Sequence, residues 1–176
     1  MVGIDWGNLI IPEIWCYFNV NIPIYSKKLL EKSSVSTGYA GGKVETFTIS
    51  GGKPTEVDMK LANGTKCIGE INGERLNGQA RIEYSNGDKY DGKVANGMKS
   101  GQGIYIWVSG ASYDGAWSDD QMSGCGTYTY PANENGYKLV GTFKGGLPDG
   151  ECEYYVSASV HYQTTWLGGK CIKVTE

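Results

Sequence analysis

Nucleophilic and acid–base catalysis both commonly depend on a histidine, and this chain of 176 residues contains a single one, His161. A Ser-His-Asp or Cys-His site would use that imidazole as its general base. No strained G-x-S-x-G elbow accompanies it, and its position falls in a predicted hairpin turn, where side chains are usually solvated. The sequence therefore predicts no catalytic residue, and we expect the chain not to be an enzyme.

Thiols are the second group of residues that could do chemistry. The chain has five cysteines, Cys16, Cys67, Cys125, Cys152 and Cys171. Their number is odd, their spacing is irregular and no C-x-x-C pair occurs, which favours reduced thiols over a disulfide framework or a zinc site. We expect neither a structural metal nor a cofactor.

Carboxylates that recur at one spacing are the third group. Asp91 and Asp114 each follow a tyrosine, and they lie one repeat length apart (114 − 91 = 23). In alternating strands both would lie on the outward face, solvated or paired across strands with neighbours such as Lys93. No G-x-x-x-x-G-K-[ST] loop is present, so the glycine-rich stretches are not phosphate loops.

Charge and hydropathy limit the partners. The net charge is −3 and the closest approach to a basic run is Lys27-Lys28, which argues against sequence-independent binding to nucleic acid. The apolar stretch 9–25 is interrupted by Pro12, Glu13 and Pro23 and is shorter than the roughly 20 residues of a spanning helix. It also has no basic region typical of a signal peptide. These features favour a soluble, cytoplasmic chain, with peripheral attachment to a membrane as the alternative.

Glycine is the anomaly in the composition, because 27 of 176 residues is about twice the usual share. Three glycine series share one spacing: successive members lie 23, 23 and 26 residues apart (for example 92 − 69 = 23 and 141 − 115 = 26). The series are Gly64, Gly87, Gly110 and Gly136; Gly69, Gly92, Gly115 and Gly141; and Gly78, Gly101, Gly124 and Gly150. A fixed period with one insertion predicts a tandem repeat array.

The period divides the chain into two regions. Residues 1–43 carry no repeat and are predicted to cap the array, the alternatives being a partner-binding arm or a segment that lies on a membrane. The repeat array is predicted over 44–176. Its units are a degenerate one at 44–66, complete ones at 67–89, 90–112, 113–138 and 139–161, and a partial one at 162–176.

Each unit contains two short alternating runs around a turn, as in "IEYSNGDKYDGKV". The Asn-Gly pair there predicts a type I′ hairpin turn at Asn86-Gly87. Alternation places tyrosines and tryptophans on one face. The glycine two residues after each leading tyrosine would leave room for a flat ring from a neighbouring strand. Gly101 and Gly103 are predicted to open the next strand, where the chain turns back.

The motif Y-x-G-x-[aromatic or apolar] followed by x-x-G-x-x-x-G-x-G, at a period of 23 residues, resembles the MORN repeat family. The resemblance covers about residues 44–176 and is strongest in "YDGKVANGMKSGQG" and "YDGAWSDDQMSGCG". It departs from the pattern at Cys67, Ala80, Cys152 and Thr164, which marks degenerate end units. The resemblance implies an all-β fold: an elongated, twisted, single-layer antiparallel sheet with one hairpin per repeat.

Two surfaces are candidates for binding. A ladder of rings would form either the packed face of the sheet or a groove that accepts a peptide or an acyl chain. Its members are Tyr105, Trp107, Trp117, Tyr128, Tyr130, Phe143 and Tyr154. A smaller apolar patch, Ile104, Ile106 and Tyr155, is predicted on the opposite face as a homotypic contact.

Three functions fit these features. The first is a non-catalytic interaction or scaffolding module that binds a protein partner, or its own copy, at the aromatic groove or a sheet edge. The alternative is a module that binds phospholipid at a membrane surface. The third is an enzyme or carbohydrate binder that stacks its ligand on Trp107 and Tyr130. We expect a protein partner or homo-oligomer, or a membrane phospholipid, and no nucleic acid.

Overall fold

The computed structural model describes residues 37–39, 42–50, 53–61, 63–72, 75–132 and 137–175. All the regular secondary structure in these ranges is β-strand, which confirms the predicted all-β class. The strands are β1 (Thr37–Tyr39), β2 (Gly42–Ser50), β3 (Lys53–Leu61), β4 (Lys66–Asn72), β5 (Arg75–Glu83), β6 (Lys89–Ala95), β7 (Met98–Ile106), β8 (Ser112–Ser118), β9 (Gln121–Thr129), β10 (Lys138–Lys144), β11 (Leu147–Tyr155), β12 (His161–Leu167) and β13 (Lys170–Thr175).

The strands divide between two compact units, with the boundary between Met98 and Lys99. In each unit the sheet order follows the chain order, and every strand is antiparallel to the next, from β1 to β6 in the first and from β7 to β13 in the second. This confirms the open antiparallel sheet of consecutive hairpins. The predicted 1–43 cap lies outside the described residues except for β1 and the start of β2.

One kind of turn has two residues, both with positive φ. The φ values are 53° and 87° at Asn96-Gly97, 50° and 67° at Asp119-Asp120, 60° and 81° at Gly145-Gly146, and 53° and 81° at Gly168-Gly169. Positive φ at both central residues is the requirement of the type I′ hairpin. The sequence carries the signal for three of these turns in its Asn-Gly and Gly-Gly pairs, whereas Asp119-Asp120 has no glycine.

The turn at Asn86-Gly87 is of another kind, and its prediction as type I′ was wrong. Only Gly87 has positive φ, at 97°. Its N–H donates to the carbonyl of Tyr84 at 3.0 Å, while the Tyr84 N–H donates to the Asp88 carbonyl at 2.9 Å. The Asn86 Oδ1 accepts the N–H of Asp88 at 3.0 Å, a local bond that gives the asparagine a different role.

The glycines at 78, 101, 124 and 150 lie inside strands, which corrects the prediction that Gly101 and Gly103 open a strand. All four have positive φ. In the β8–β9 pair, Gly115 faces Gly126 and Trp117 faces Met122, so a two-residue step on β8 (117 − 115 = 2) is matched by a four-residue step on β9 (126 − 122 = 4). Gly124 lies in this bulge, and a left-handed residue is what such a bend requires. The β12–β13 pair has Lys173 in place of the glycine and a smaller register shift.

Candidate functional site: the aromatic face and the sheet edge

The aromatic face is built by cross-strand register. Its main row, here called the ring row, consists of residues that stand directly opposite one another on successive strands. The members are Tyr105, Tyr113, Tyr128, Leu139, Tyr154 and Tyr162. Tyr113 is completely buried. Its ring meets those of Phe143 and Trp117 edge-on, with centroids 5.0 and 5.2 Å away, a favoured arrangement for aromatic pairs.

Beside the ring row runs a row of small residues, here called the glycine row. Its members are Gly103, Gly115, Gly126, Gly141, Cys152 and Thr164. Tyr113 lies across two of them: a Cβ at Gly115 would be 2.6 Å from the Tyr113 hydroxyl, and one at Gly126 would be 2.5 Å from its Cζ. The hydroxyl donates to the Ala116 carbonyl at 3.1 Å. A ring therefore packs flat over bare backbone, as the glycine spacing predicts. The prediction that this ring comes from a neighbouring strand was wrong for Gly115, because Tyr113 lies on the same strand, β8.

The sequence departures from the repeat pattern compensate one another in size. The unit that starts at 67 has Cys67 in place of the leading tyrosine. The same hairpin has Ala80 at the position that Gly103 and Gly126 hold in the next two units. In the unit that starts at Leu139, that position is Cys152. Cys67, Ala80, Leu139 and Cys152 are all buried. Each hairpin therefore fills a similar space, because a smaller leading side chain leaves room for a Cβ beneath it.

Thr164 is a second compensated departure. It replaces the glycine that follows the leading tyrosine and is buried. In the standard unit, the Trp117 indole donates directly to the Gly103 carbonyl at 2.9 Å. In the last unit, the Trp166 indole donates to the Thr164 hydroxyl at 2.8 Å, and that hydroxyl donates to the Cys152 carbonyl at 2.8 Å. The threonine thus relays the hydrogen bond and the terminal hairpin forms.

The seven predicted groove residues are brought together in one cluster. Ring contacts join Tyr105, Trp107, Tyr128, Tyr130 and Tyr154 in sequence, with centroids 4.7 to 5.9 Å apart. Trp117 meets Tyr105 at 5.9 Å, and Tyr113 links Trp117 to Phe143. Five of the seven are buried; Trp107 and Tyr154 are half-buried. The rings are mainly packed against one another, and little of their surface is accessible.

The predicted patch on the opposite face is not contiguous. Ile104 and Ile106 are exposed, at 42% and 45%. Tyr155 shares a row with Ile106, but Ser112, Thr129 and Lys138 stand between them. Four strand spacings separate the two, about 19 Å.

Tyr155 instead belongs to a polar cluster on β10, β11 and β12. The Lys138 ammonium lies 4.4 Å from its ring centroid and the His161 ring stacks on it at 4.9 Å. Its hydroxyl donates to Glu153 at 2.6 Å. That bond lowers the pKa of Glu153 and raises the pKa of Tyr155, because it favours the ionised carboxylate and the protonated phenol.

His161 is the first residue of β12, so its predicted location in a hairpin turn was wrong. The turn is formed instead by residues 156–160, where the Val156 N–H donates to the Val160 carbonyl at 3.0 Å. No group of three or more metal-ligating side chains occurs in the described part of the chain. Among the same residues, no helix is long and apolar enough to cross a bilayer.

The edge strand β13 is a site that the sequence prediction did not resolve in detail. All six of its residues are exposed, including Ile172 at 62% and Val174 at 50%. Within the described ranges its hydrogen-bonded neighbour is β12. The signal lay in the alternation of Ile172 and Val174 in the partial unit.

A family model for the MORN repeat matches residues 90–112, 113–133 and 140–157. Residues 90–157 therefore contain three MORN repeats. The first match has the boundaries predicted from the glycine period, and the second and third lie inside the predicted units 113–138 and 139–161. A search of curated proteins finds no match to the chain. Outside the matched residues, the hairpins β4–β5 and β12–β13 continue the antiparallel arrangement of the MORN repeats.

Proposed function

We propose that this chain is a non-catalytic protein-interaction module that associates with a second copy of itself along the edge of β13. The MORN repeats provide an antiparallel sheet, and the aromatic face is largely filled by its own rings. The observation that carries the proposal is the exposure of all six β13 residues, two of which, Ile172 and Val174, are apolar. An exposed strand edge with apolar side chains is a template for pairing with another strand.

Charge favours an antiparallel two-fold pairing centred on Ile172. In that register each Ile172 faces its copy, Lys173 faces Cys171, and Val174 faces Lys170. No lysine opposes another lysine, and apolar side chains meet at the centre. Like charges directly opposite would destabilise the pair. A two-fold interface of this kind closes on itself and gives a dimer.

Sedimentation velocity over a concentration series tests the proposal. Wild type should pass from monomer to dimer, and Ile172→Lys should remain monomeric because it adds a charge at the centre of the pair. Ile104→Lys is the matched control, an exposed isoleucine on β7 and away from the edge. Monomer at every wild-type concentration, or dissociation by Ile104→Lys alone, would contradict edge pairing.

Binding to phospholipid is the second candidate, and a separate surface favours it. The turns that follow β7, β9 and β11 lie at one end of the sheet, since these strands run in the same direction. Val108, Tyr137, Val156 and Val160 are exposed there, and Val108 is 74% exposed. The turns 107–111 and 156–160 contain no charged residue. Apolar side chains at such tips suit the boundary between headgroups and acyl chains.

Co-sedimentation with vesicles tests this second function. The probes are phosphatidylcholine vesicles with and without phosphatidylserine, at low and high salt. Wild type should bind the vesicles through these turns and appear in the pellet. The double variant Val108→Asp/Val160→Asp should stay in the supernatant. Ile172→Lys is the control and should sediment like wild type. Wild type that remains in the supernatant with both vesicle types would exclude the membrane function.

A further inference from the structure

Lys99 is a buried lysine in a position that the repeat before it and the two repeats after it fill with apolar side chains. Only 4% of its surface is exposed. One repeat earlier the same position is Leu76, one repeat later it is Met122, and two later it is Pro148. Those three side chains are also buried. A charged group in this row is costly unless it is paired.

The partner of the lysine is Asp120, the second residue of the β8–β9 turn. Its Oδ1 accepts the Lys99 backbone N–H and the Lys99 Nζ, both at 2.8 Å. The Asp120 N–H donates to the Lys99 carbonyl at 3.1 Å. The ammonium also lies 5.3 Å from the Trp117 ring and 5.6 Å from the Tyr105 ring, within the range of cation–π attraction.

The backbone part of this contact recurs in other repeats, whereas its charges do not. The N–H groups of Gly97, Gly146 and Gly169 donate to the carbonyls of Leu76, Met122 and Pro148, at 2.9, 3.0 and 3.0 Å. In each of those cases a glycine occupies the position of Asp120. Among the four junctions compared, from Leu76–Gly97 to Pro148–Gly169, a carboxylate and an ammonium therefore meet only at Lys99–Asp120.

Strands of different repeats in a tandem array are similar, so the correct pairing needs a feature that the other repeats lack. The run from Gly101 to Tyr105 has counterparts in Gly124–Tyr128 and Gly150–Tyr154. A hairpin docked one repeat out of register would keep its backbone bonds and bury its rings. It would also leave the Lys99 ammonium buried without the Asp120 carboxylate, which is strongly unfavourable.

We infer that the Lys99–Asp120 pair is a register key that fixes which hairpin docks on β7. The pair selects one strand register more than it stabilises the fold, a role that buried polar residues have in coiled coils. This role is independent of the proposed self-association at β13, which involves other residues. The neighbouring repeat supplies the matched replacement, since Lys99→Met with Asp120→Gly recreates the Met122–Gly146 contact.

Urea denaturation and amide NMR spectra test the key together, in dilute monomeric samples. Asp120→Gly should lower the urea midpoint most, because it leaves the buried ammonium without its carboxylate. Lys99→Met/Asp120→Gly should restore the midpoint to the wild-type value or above. Its spectrum should nevertheless show additional sets of resonances for β7 to β9, from hairpins in alternative registers.

Moving the pair to the next junction provides the control. Met122→Lys/Gly146→Asp, added to the double variant, should return the spectrum to one set of resonances. A double variant with one wild-type-like set of resonances would overturn the inference, because register would then be fixed without the pair. Multiple sets that persist after the pair is moved would also overturn it, since they would reflect a local packing defect.

Discussion

At the scale of single residues, the packing of Tyr113 explains why this chain tolerates so many glycines. The ring covers Gly115 and Gly126 and its hydroxyl bonds to the Ala116 carbonyl. Burying about 150–250 Å² at about 25 cal/mol per Å² contributes about 4–6 kcal/mol. Two glycines in strands cost about 1–2 kcal/mol. The ring therefore outweighs the entropy of the backbone that it covers.

Gly126→Ala tests this balance. The added Cβ would meet the Tyr113 ring, so we expect a loss of about 1–3 kcal/mol in the free energy of unfolding. With Tyr113→Leu already present, as Leu139 stands naturally with Cys152, the same alanine should cost much less. A double-mutant cycle in urea measures the coupling. Equal losses in both backgrounds would show that the ring is not the obstacle.

The pH dependence of stability gives a second prediction for Tyr113. Burial raises the pKa of its phenol, with smaller contributions from Cys125 and Asp114. In the unfolded state, the pKa of a tyrosine phenol is about 10. Above that pH the unfolded state loses the proton that the folded state keeps, so stability falls as pH rises and is fully present below it.

Tyr113→Phe should remove this alkaline loss, measured as urea midpoints from about pH 8 to about pH 11, above and below the unfolded pKa. The variant should also be weaker at neutral pH by about 1 kcal/mol, because the bond to Ala116 is gone. Tyr137→Phe, at an exposed tyrosine, is the control and should keep the wild-type profile. An unchanged profile in Tyr113→Phe would assign the alkaline loss to another group.

At the scale of elements, the bulges control how successive hairpins fit together. Gly124 has φ of 65° inside β9, and its counterparts Gly78 and Gly150 also have positive φ. Bulges increase local twist and bend the strand that contains the extra residues. Lys173 holds this position in β13, where the register shift is smaller. The glycines at 78, 124 and 150 therefore allow the left-handed backbone conformation within these strands.

Gly124→Ala isolates the backbone term, because its Cβ would be 3.5 Å from the Ala116 Cβ, an ordinary contact. We expect a loss of about 1–2 kcal/mol from the left-handed conformation alone. Gly124→Asn should lose less, since asparagine tolerates this conformation better. Thermal unfolding of both variants measures the difference. A larger loss for asparagine than for alanine would point to crowding instead of strain.

At the scale of the whole molecule, repeats that contact their neighbours make stability depend on position along the array. In residues 99–175, β9 and β10 have hydrogen-bonded strands on both sides, whereas β13 pairs with β12 and is exposed along its length. Local opening should therefore be easiest at β13.

Hydrogen exchange measures this gradient. In dilute protein we expect β13 amides to exchange fastest and β9 and β10 amides slowest. Raising the protein concentration should slow exchange in β13 selectively if copies pair there, while Ile172→Lys should show no such change. Uniform exchange from β9 to β13 would mean that these strands open only as one cooperative unit.

The sequence alone determined the all-β class, the repeat period and the pairing of rings with glycines. These features depend on side-chain size and on the two-residue alternation of a strand, which are local properties. The units at 90–112 and 113–138 could be read in this way. The convergence of the seven predicted rings followed from the same alternation combined with the period.

Only the tertiary structure decided how the rings are exposed, where His161 lies and which turns are type I′. It also decided that Gly101 lies inside β7 with a positive φ and that Lys99 meets Asp120. Each of these outcomes depends on cross-strand register or on the φ of a particular residue. Register joins residues up to 19 positions apart, as at Gly124 and Phe143 (143 − 124 = 19). A local pattern cannot fix it, because similar strands in a repeat array offer several nearly equivalent pairings.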